Sequence, residues 1–505
     1  MYAEQDRGDR HPGGRPPVIS DHAVLAILLT SSLHGEPLLV NNMARVVSER
    51  LTEEALEALG IMHDGATGEQ WYFRIWRAID RFMAPLDYHS GLARNRRLTP
   101  EVFGEWEQDR DLVDSKMRHD RMLLVTNLLL HGTYLLLPRS LRRKWTGNTS
   151  IDGTFVASAA RQKRYAAGNR LTIEPCSAAF VKDDGYNGRG WEAYLVVTTK
   201  NDPHATKDFP HLVLGMTFDR QNTDAKSTVD TYSVMHHLGY PTGEAAGDRA
   251  YFKSEDPNDC QIPMLRLGHR FVRDYQLSQL GIQDHFTGAK MVEGQWYCLE
   301  MSMVLVDAER DFRVVRLDEE SYAKRIEART RWVATRKARP DQQGATRWSH
   351  PVGADGKPVC NHQHKGAPKF CTQRTVLFPI EAGAKYGQEY ALGSAEHKAR
   401  YKHPRNTIEA ANAKAKSDRH GLERSKRRRV SGQPRHHLLV AVIMAAVNVA
   451  TIITFQREEA GLVVAKPNYK KPSVYGMYSW SAEALGVDRV EIERVRRRQK
   501  PDPVK

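Results

Sequence analysis

Three acids stand apart by context: Asp152 inside the run SIDGTFV, Asp248 inside AAGDRAYF, and Glu409 on a helix read from about Pro404 onward. An aspartate among the β-branched residues of a strand must face solvent or serve a purpose, because a buried, unpaired carboxylate is costly. On the helix, Glu409, Asn412 and Lys416 follow Arg405 by four, seven and eleven residues, which puts all four on one face. The chemistry that needs such a set is two-metal phosphoryl transfer. Two Mg2+ ions about 3.5–4 Å apart require carboxylates from rigid elements, and Mn2+ can substitute for Mg2+. Asp152, Asp248 and Glu409 would hold the ions, while Arg405 and Lys416 would contact flanking phosphates. Each acid alone also fits an ordinary role: a turn residue, a strand-end cap, a solvated helix face. Their joint order, strand, strand and helix, points to one site.

The elements that must position these acids follow from pattern. From 18 to 146 the apolar residues recur at helical spacing, with Asp21, Thr52 and Thr99 as N-caps and Gly35 and Gly60 as stops. Trp71, Ile75, Ile79 and Phe82 share one helix face, opposite Arg74, Arg77 and Arg81. After Gly147 the runs become short and β-branched, predicting strands at 150–158, 193–199 and 212–218, a helix at 229–238 and a strand in EAAGDRAYF. Three strands, a helix and a fourth strand is the order an RNase H-like α/β domain uses. The expected fold class is therefore an α/β RNase H-like catalytic core with an all-α N-terminal domain and an insertion between the second Asp and the Glu. The expected divisions are a disordered tail (1–17), a helical DNA-binding region (18–146), the first part of the core (147–306), an insertion (307–395), the C-terminal helices of the core (396–456) and a basic tail (457–505). Within the helical region, 43–59 is a candidate helix-turn-helix.

These residues resemble a DDE transposase of bacterial insertion sequences, of the cut-and-paste type with a Tyr-x2-Arg-x3-Glu-x6-Lys signature. Arg405, Glu409 and Lys416 keep that spacing, and Tyr401 stands one position upstream of the tyrosine, with Lys402 in its place. IDGT around Asp152, the DRxYF-like segment at Asp248 and a basic loop leading to an apolar helix with Asn448 complete the similarity, which covers 18–448. The resemblance implies Mg2+-dependent cleavage at element ends, strand transfer of the freed 3'-hydroxyl into target DNA, a hairpin intermediate and a homodimer acting on double-stranded DNA. Tyr401, Arg427 and Arg428 join the expected phosphate contacts. The alternatives are an RNase H-like nuclease without strand transfer and an inactive, transposase-derived DNA-binding protein.

Charge agrees with a polyanionic partner: 75 Lys and Arg against 61 Asp and Glu give a formal +14. Basic runs lie at 139–144, 424–429 and 494–500. Five cysteines in 505 residues exclude a disulfide-dense secreted scaffold and suit a reducing cytoplasm. His350, Cys360 and Cys371, with His362, His364 and Cys298 nearby in chemistry, can hold a structural Zn2+ or form a loop without metal. The uncharged stretch 438–455 approaches membrane-span length; Asn448, Thr451 and Thr454 within it favour a buried core helix and no membrane. The Gly/Pro-rich start has no apolar stretch, and reads as a tail rather than a signal peptide.

Overall fold

The computed structural model describes residues 17–62, 64–160, 165–166, 170–181, 187–361 and 366–462. Its centre is one mixed sheet made by the β-branched runs. The strands are β1 (Thr149–Ala157), β2 (Ala178–Val181), β3 (Asn187–Thr198), β4 (Val213–Asp219), β5 (Glu244–Gly247) and β6 (Arg270–Val272). β3 pairs antiparallel with β1 on one side and with β2 and β4 on the other. β1 then pairs parallel with β5, and β5 parallel with β6. The principal helices are α1 (Asp21–Leu33), α2 (Gly68–Met83), α3 (Leu112–Leu135), α4 (Asp224–His237), α5 (Ala395–Lys416) and α6 (Gln433–Glu459). Helix α4 supplies the crossover that parallel β5 requires.

Period-two alternation decides which face meets which helices. Trp191, Ala193, Leu195 and Val197 of β3 enter one core, and Tyr194 and Val196 enter the other. The first core also takes Val24 and Leu28 of α1, Trp71 and Ile75 of α2, Met122 and Leu130 of α3, Ile408 and Ala415 of α5, and the buried run of α6. The helical region 18–146 is thus not a detachable domain, because its apolar faces are buried against the sheet and the C-terminal helices. Nor does 43–59 make a recognition motif. Its second helix, Glu53–Ala58, has six residues, and Glu53, Glu54 and Glu57 would repel DNA phosphates. Side chains of Thr52 and Thr99 cap their helices as expected, while Ser20 rather than Asp21 caps α1.

Helix α6 is long and apolar enough to span a membrane, yet every residue from His436 to Asn448 is buried within the protein. Its asparagine explains why. The Asn448 amide donates to the Val213 carbonyl (2.7 Å) and accepts from the Val213 N–H (2.8 Å), and it donates to Thr133 Oγ1 (2.9 Å). Asn127 of α3 does the same to Met216, with both contacts at 2.8 Å. A register shift at Val196/Val197 accompanies this, and the two amides satisfy the open edge of β4 as a further strand would.

The excursion between β6 and α5 starts directly after Val272, not at 307. Its first piece is a three-stranded sheet, Ile282–Phe286, Ala289–Val292 and Gln295–Cys298, and its second is Thr335–Arg336, Thr346–Ser349 and Val376–Phe378. The returning chain lies beside β6, where the Glu389 N–H donates to the Phe271 carbonyl (2.9 Å). Helix α5 begins at its Ser394 cap, well before Pro404, which lies buried inside the helix rather than at its start. Tertiary contacts hold the extra turns: Arg400 donates to both oxygens of Glu244 at 2.9 Å, and His397 Nε2 stands 3.0 Å from the Arg273 carbonyl. Residues 453–505 form a second unit, described as far as Leu462. The tail at 1–16 and the basic run at 494–500 lie outside the described residues.

Candidate carboxylate site

Parallel pairing of β1 and β5 places Ile151 opposite Gly247, and the next residue on each chain is an aspartate. Asp152 and Asp248 therefore leave neighbouring strand ends together. Helix α5 packs across the same strands through Ile408, Ala411 and Ala415. Asp152, Asp248 and Glu409 line one cleft of about 100 Å³ with Tyr401, Arg405 and Ile408. Tyr401 reaches the cleft because it lies one helical turn before Arg405, whereas Lys402 is exposed.

Both oxygens of Asp152 are held. Tyr251 Oη donates to Oδ1 (3.0 Å) and Asn412 Nδ2 donates to Oδ2 (2.9 Å). The Gly153 N–H donates in turn to Tyr251 Oη (2.7 Å). Burial raises the Asp152 carboxyl above its ordinary value and the charge of Glu409 adds to this, while the Tyr251 hydrogen bond and Lys416 oppose it. Glu409 is tied by Oε1 to Arg405 Nε at 3.0 Å, with both side chains more than half exposed. The Arg405 guanidinium is raised chiefly by this hydrogen bond. Burial, and next the charge of Asp248, raise the Tyr401 phenol. Lys416 lies two turns beyond Glu409, about 10 Å along the axis.

Three carboxylates are a hard oxygen donor set of the kind Mg2+ and Mn2+ accept. Among the described residues, however, the one group of three or more ligand atoms already drawn to ion-sharing distance is elsewhere: Cys298, His350, Cys360 and Cys371. The cleft carboxylates line a common space, with Glu409 held by its arginine. His362 and His364 lie outside the described residues.

Glu192 is the acid that pattern did not reveal. It lies on β3 against Gly153, where an added Cβ would stand 2.0 Å from Glu192 Oε1 and 3.0 Å from Tyr251 Oη, so the glycine after Asp152 leaves room for both. Burial, with Asp224 and Asp152 nearby, pushes the Glu192 carboxyl up from 4.5 to about 7. The folded protein therefore keeps a proton that the unfolded chain has lost between those values. Stability from this group is present below pH 4.5 and is lost as pH rises through 7. Glu192→Gln is expected to stabilise the protein at pH 8 by roughly 3 kcal/mol and to change little at pH 4.5. Urea unfolding at both values measures this, and an equal effect at the two would refute it. Glu174, also raised by burial to about 7, titrates in both proteins and cancels in the comparison.

The loop arginines depart from expectation. Arg428 is 1% exposed, its Nη1 donates to the Gly421 carbonyl (2.9 Å), and burial lowers its guanidinium to about 10. Arg427 spends its guanidinium on the backbone carbonyls of Asp418 (2.7 Å), Gly35 and Arg419 (3.3 Å). Arg427 fastens the loop to the helical region through Gly35, whereas Arg428 is turned inward onto the loop's own backbone, because a short loop between two packed helices draws its long side chains inward. Arg424 and Arg429 of the same run remain exposed. No protein-family model, no curated protein and no solved structure matches this chain.

Proposed function

We propose that the protein is a DNA transposase of the DDE type, with an RNase H-like core that cleaves DNA at element ends and joins the freed end to a target. The observation that carries this reading is the gathering of Asp152, Asp248 and Glu409, far apart along the chain, around one cleft with Tyr401 and Arg405. Support also comes from the sheet, in which four strands joined by antiparallel pairing continue into two parallel ones through a helical crossover. The net charge of +14 suits a nucleic-acid partner.

Asp152, Asp248 and Glu409 would hold two Mg2+ ions. When bound, such ions neutralise charge on the reacting phosphate and acidify a water or 3'-hydroxyl. In the cleavage step, water oxygen bonds to phosphorus and the P–O3' bond breaks, leaving a 5'-phosphate and a 3'-hydroxyl that gains the proton water loses. In the joining step, that hydroxyl attacks a target phosphodiester and the target's own 3'-oxygen leaves. Tyr251 and Asn412 orient Asp152. Arg405 can exchange Glu409 for a phosphate oxygen at small cost, since an exposed ion pair contributes little, and Lys416 meets the strand farther along the helix.

The test uses the full chain with duplexes made from the DNA on either side of its coding region, with Mg2+ or with EDTA. Metal-dependent nicks ending in 3'-hydroxyls and joined products are expected. Nicks without joined products would select a nuclease, and binding without nicks would select a DNA-binding protein that does no chemistry.

A further inference from the structure

We infer that the excursion between β6 and α5 carries a closed structural Zn2+ site made by Cys298, His350, Cys360 and Cys371. Their ligand atoms all lie within 4.8 Å of one another and all four residues are buried. In a tetrahedral zinc–thiolate centre the sulfurs stand about 3.8 Å apart, so small side-chain movements close the cage. Three sulfurs and one imidazole nitrogen select zinc over the hard cations suited to the carboxylate cleft. With four protein ligands no position is left for water or substrate, which makes the site structural.

Local structure delivers each ligand. Cys298 ends the strand Gln295–Cys298, paired with Ala289. His350 follows the strand Thr346–Ser349, and its Nδ1 lies 2.7 Å from the Pro351 carbonyl, which turns Nε2 toward the metal as the ligand atom. A tight loop then doubles back: the Gly353 N–H donates to the Lys357 carbonyl (2.8 Å) and the Val359 N–H to the Pro351 carbonyl (3.3 Å), returning Cys360 to His350. Cys371 sits on the short helix Lys369–Thr372, fixed by the Phe370 N–H donating to the Thr287 carbonyl (3.0 Å). A three-thiolate, one-imidazole zinc centre carries a net −1. Lys290, buried and electrostatically coupled to Cys298, would balance it, its ammonium anchored on the Met301 carbonyl.

The ligands come from three separate segments, so zinc would pin the limb 346–372 to the hairpin 289–298. That hairpin is linked to the catalytic sheet: Gln388 accepts from the Arg273 N–H (3.2 Å) and donates to the Glu293 carbonyl (3.2 Å). The zinc site is separate from the carboxylate cleft, and neither assignment depends on the other.

The experiment is elemental analysis of the full chain purified under reducing conditions without added metal, with thiol titration and limited proteolysis. One zinc per chain is expected, released when a mercurial titrates the thiols. Cys298→Ser and Cys371→Ser should each retain less than about a tenth of the zinc, as loss of a ligand predicts, and should gain cleavage within the limb. Cobalt in place of zinc should show the visible bands of a tetrahedral thiolate site. Freely titrating thiols without metal, a disulfide between any two of these cysteines, iron in place of zinc, or full zinc retention in both variants would overturn the inference.

Discussion

Asp152→Asn is expected to reduce Mg2+-dependent nicking by at least on the order of 10³-fold while leaving DNA affinity within about twofold. The asparagine keeps the size of the side chain, its oxygen can still accept from Tyr251, and Asn412 can turn its amide to accept from the new NH2, so the strand end should stay folded. What it loses is the negative charge that would hold a cation. Asp248→Asn and Glu409→Gln should act alike if the three form one unit, and combining them should add little, because removing any one member disables the set. Tyr251→Phe supplies the graded comparison: it removes an orienting contact without removing a ligand, and a loss of about 10–100-fold is expected. Nicking that survives Asp152→Asn at a tenth of its rate or better would show that the cleft is not where DNA is cut.

The second large effect is on stability. Asn448→Leu keeps the branching of the side chain but leaves the Val213 N–H and carbonyl without their partners in a buried layer, while Thr133 Oγ1 loses a donor and keeps its bond to the Leu130 carbonyl (2.6 Å). Leaving buried groups unpaired costs about 1–3 kcal/mol each, so a loss on the order of 3–5 kcal/mol is expected. A fall in urea midpoint at unchanged slope measures it. A loss below about 1 kcal/mol would mean that the edge of β4 finds other partners, and that the amide is not its substitute strand.

Much of the centre of the fold could be read from residue pattern. β1, β3 and β4 are runs with β-branched residues between turn residues, β5 is a short small-residue run in the segment expected to hold a strand, and α4 falls before it as expected. β6 was hidden because three residues, Arg270–Val272, leave no period to detect, and the onset of the excursion was misplaced with it. A helix start near Pro404 is the local expectation, since proline is disfavoured inside helices; burial and the Arg400–Glu244 pair carry the helix through it. Of the site, the helix stripe was legible because a spacing of four and seven is local. Tyr251 lies in AAGDRAYF with nothing local to give it a role, and Glu192 leaves no signal, since only strand register brings it to Gly153. The cysteines show the same limit: Cys360 and Cys371 are near in sequence, whereas Cys298 joins them only through folding.

The asparagine caps on β4 bear on how the chain is made. Asn127 precedes that strand, but Asn448 follows it by 235 residues. A ribosome therefore releases β4 long before half of its border can be covered, and an uncovered strand border invites pairing with other chains. Truncation before residue 433 should yield insoluble material even though every strand of the sheet is present, and slower, cooler synthesis of the whole protein should improve recovery.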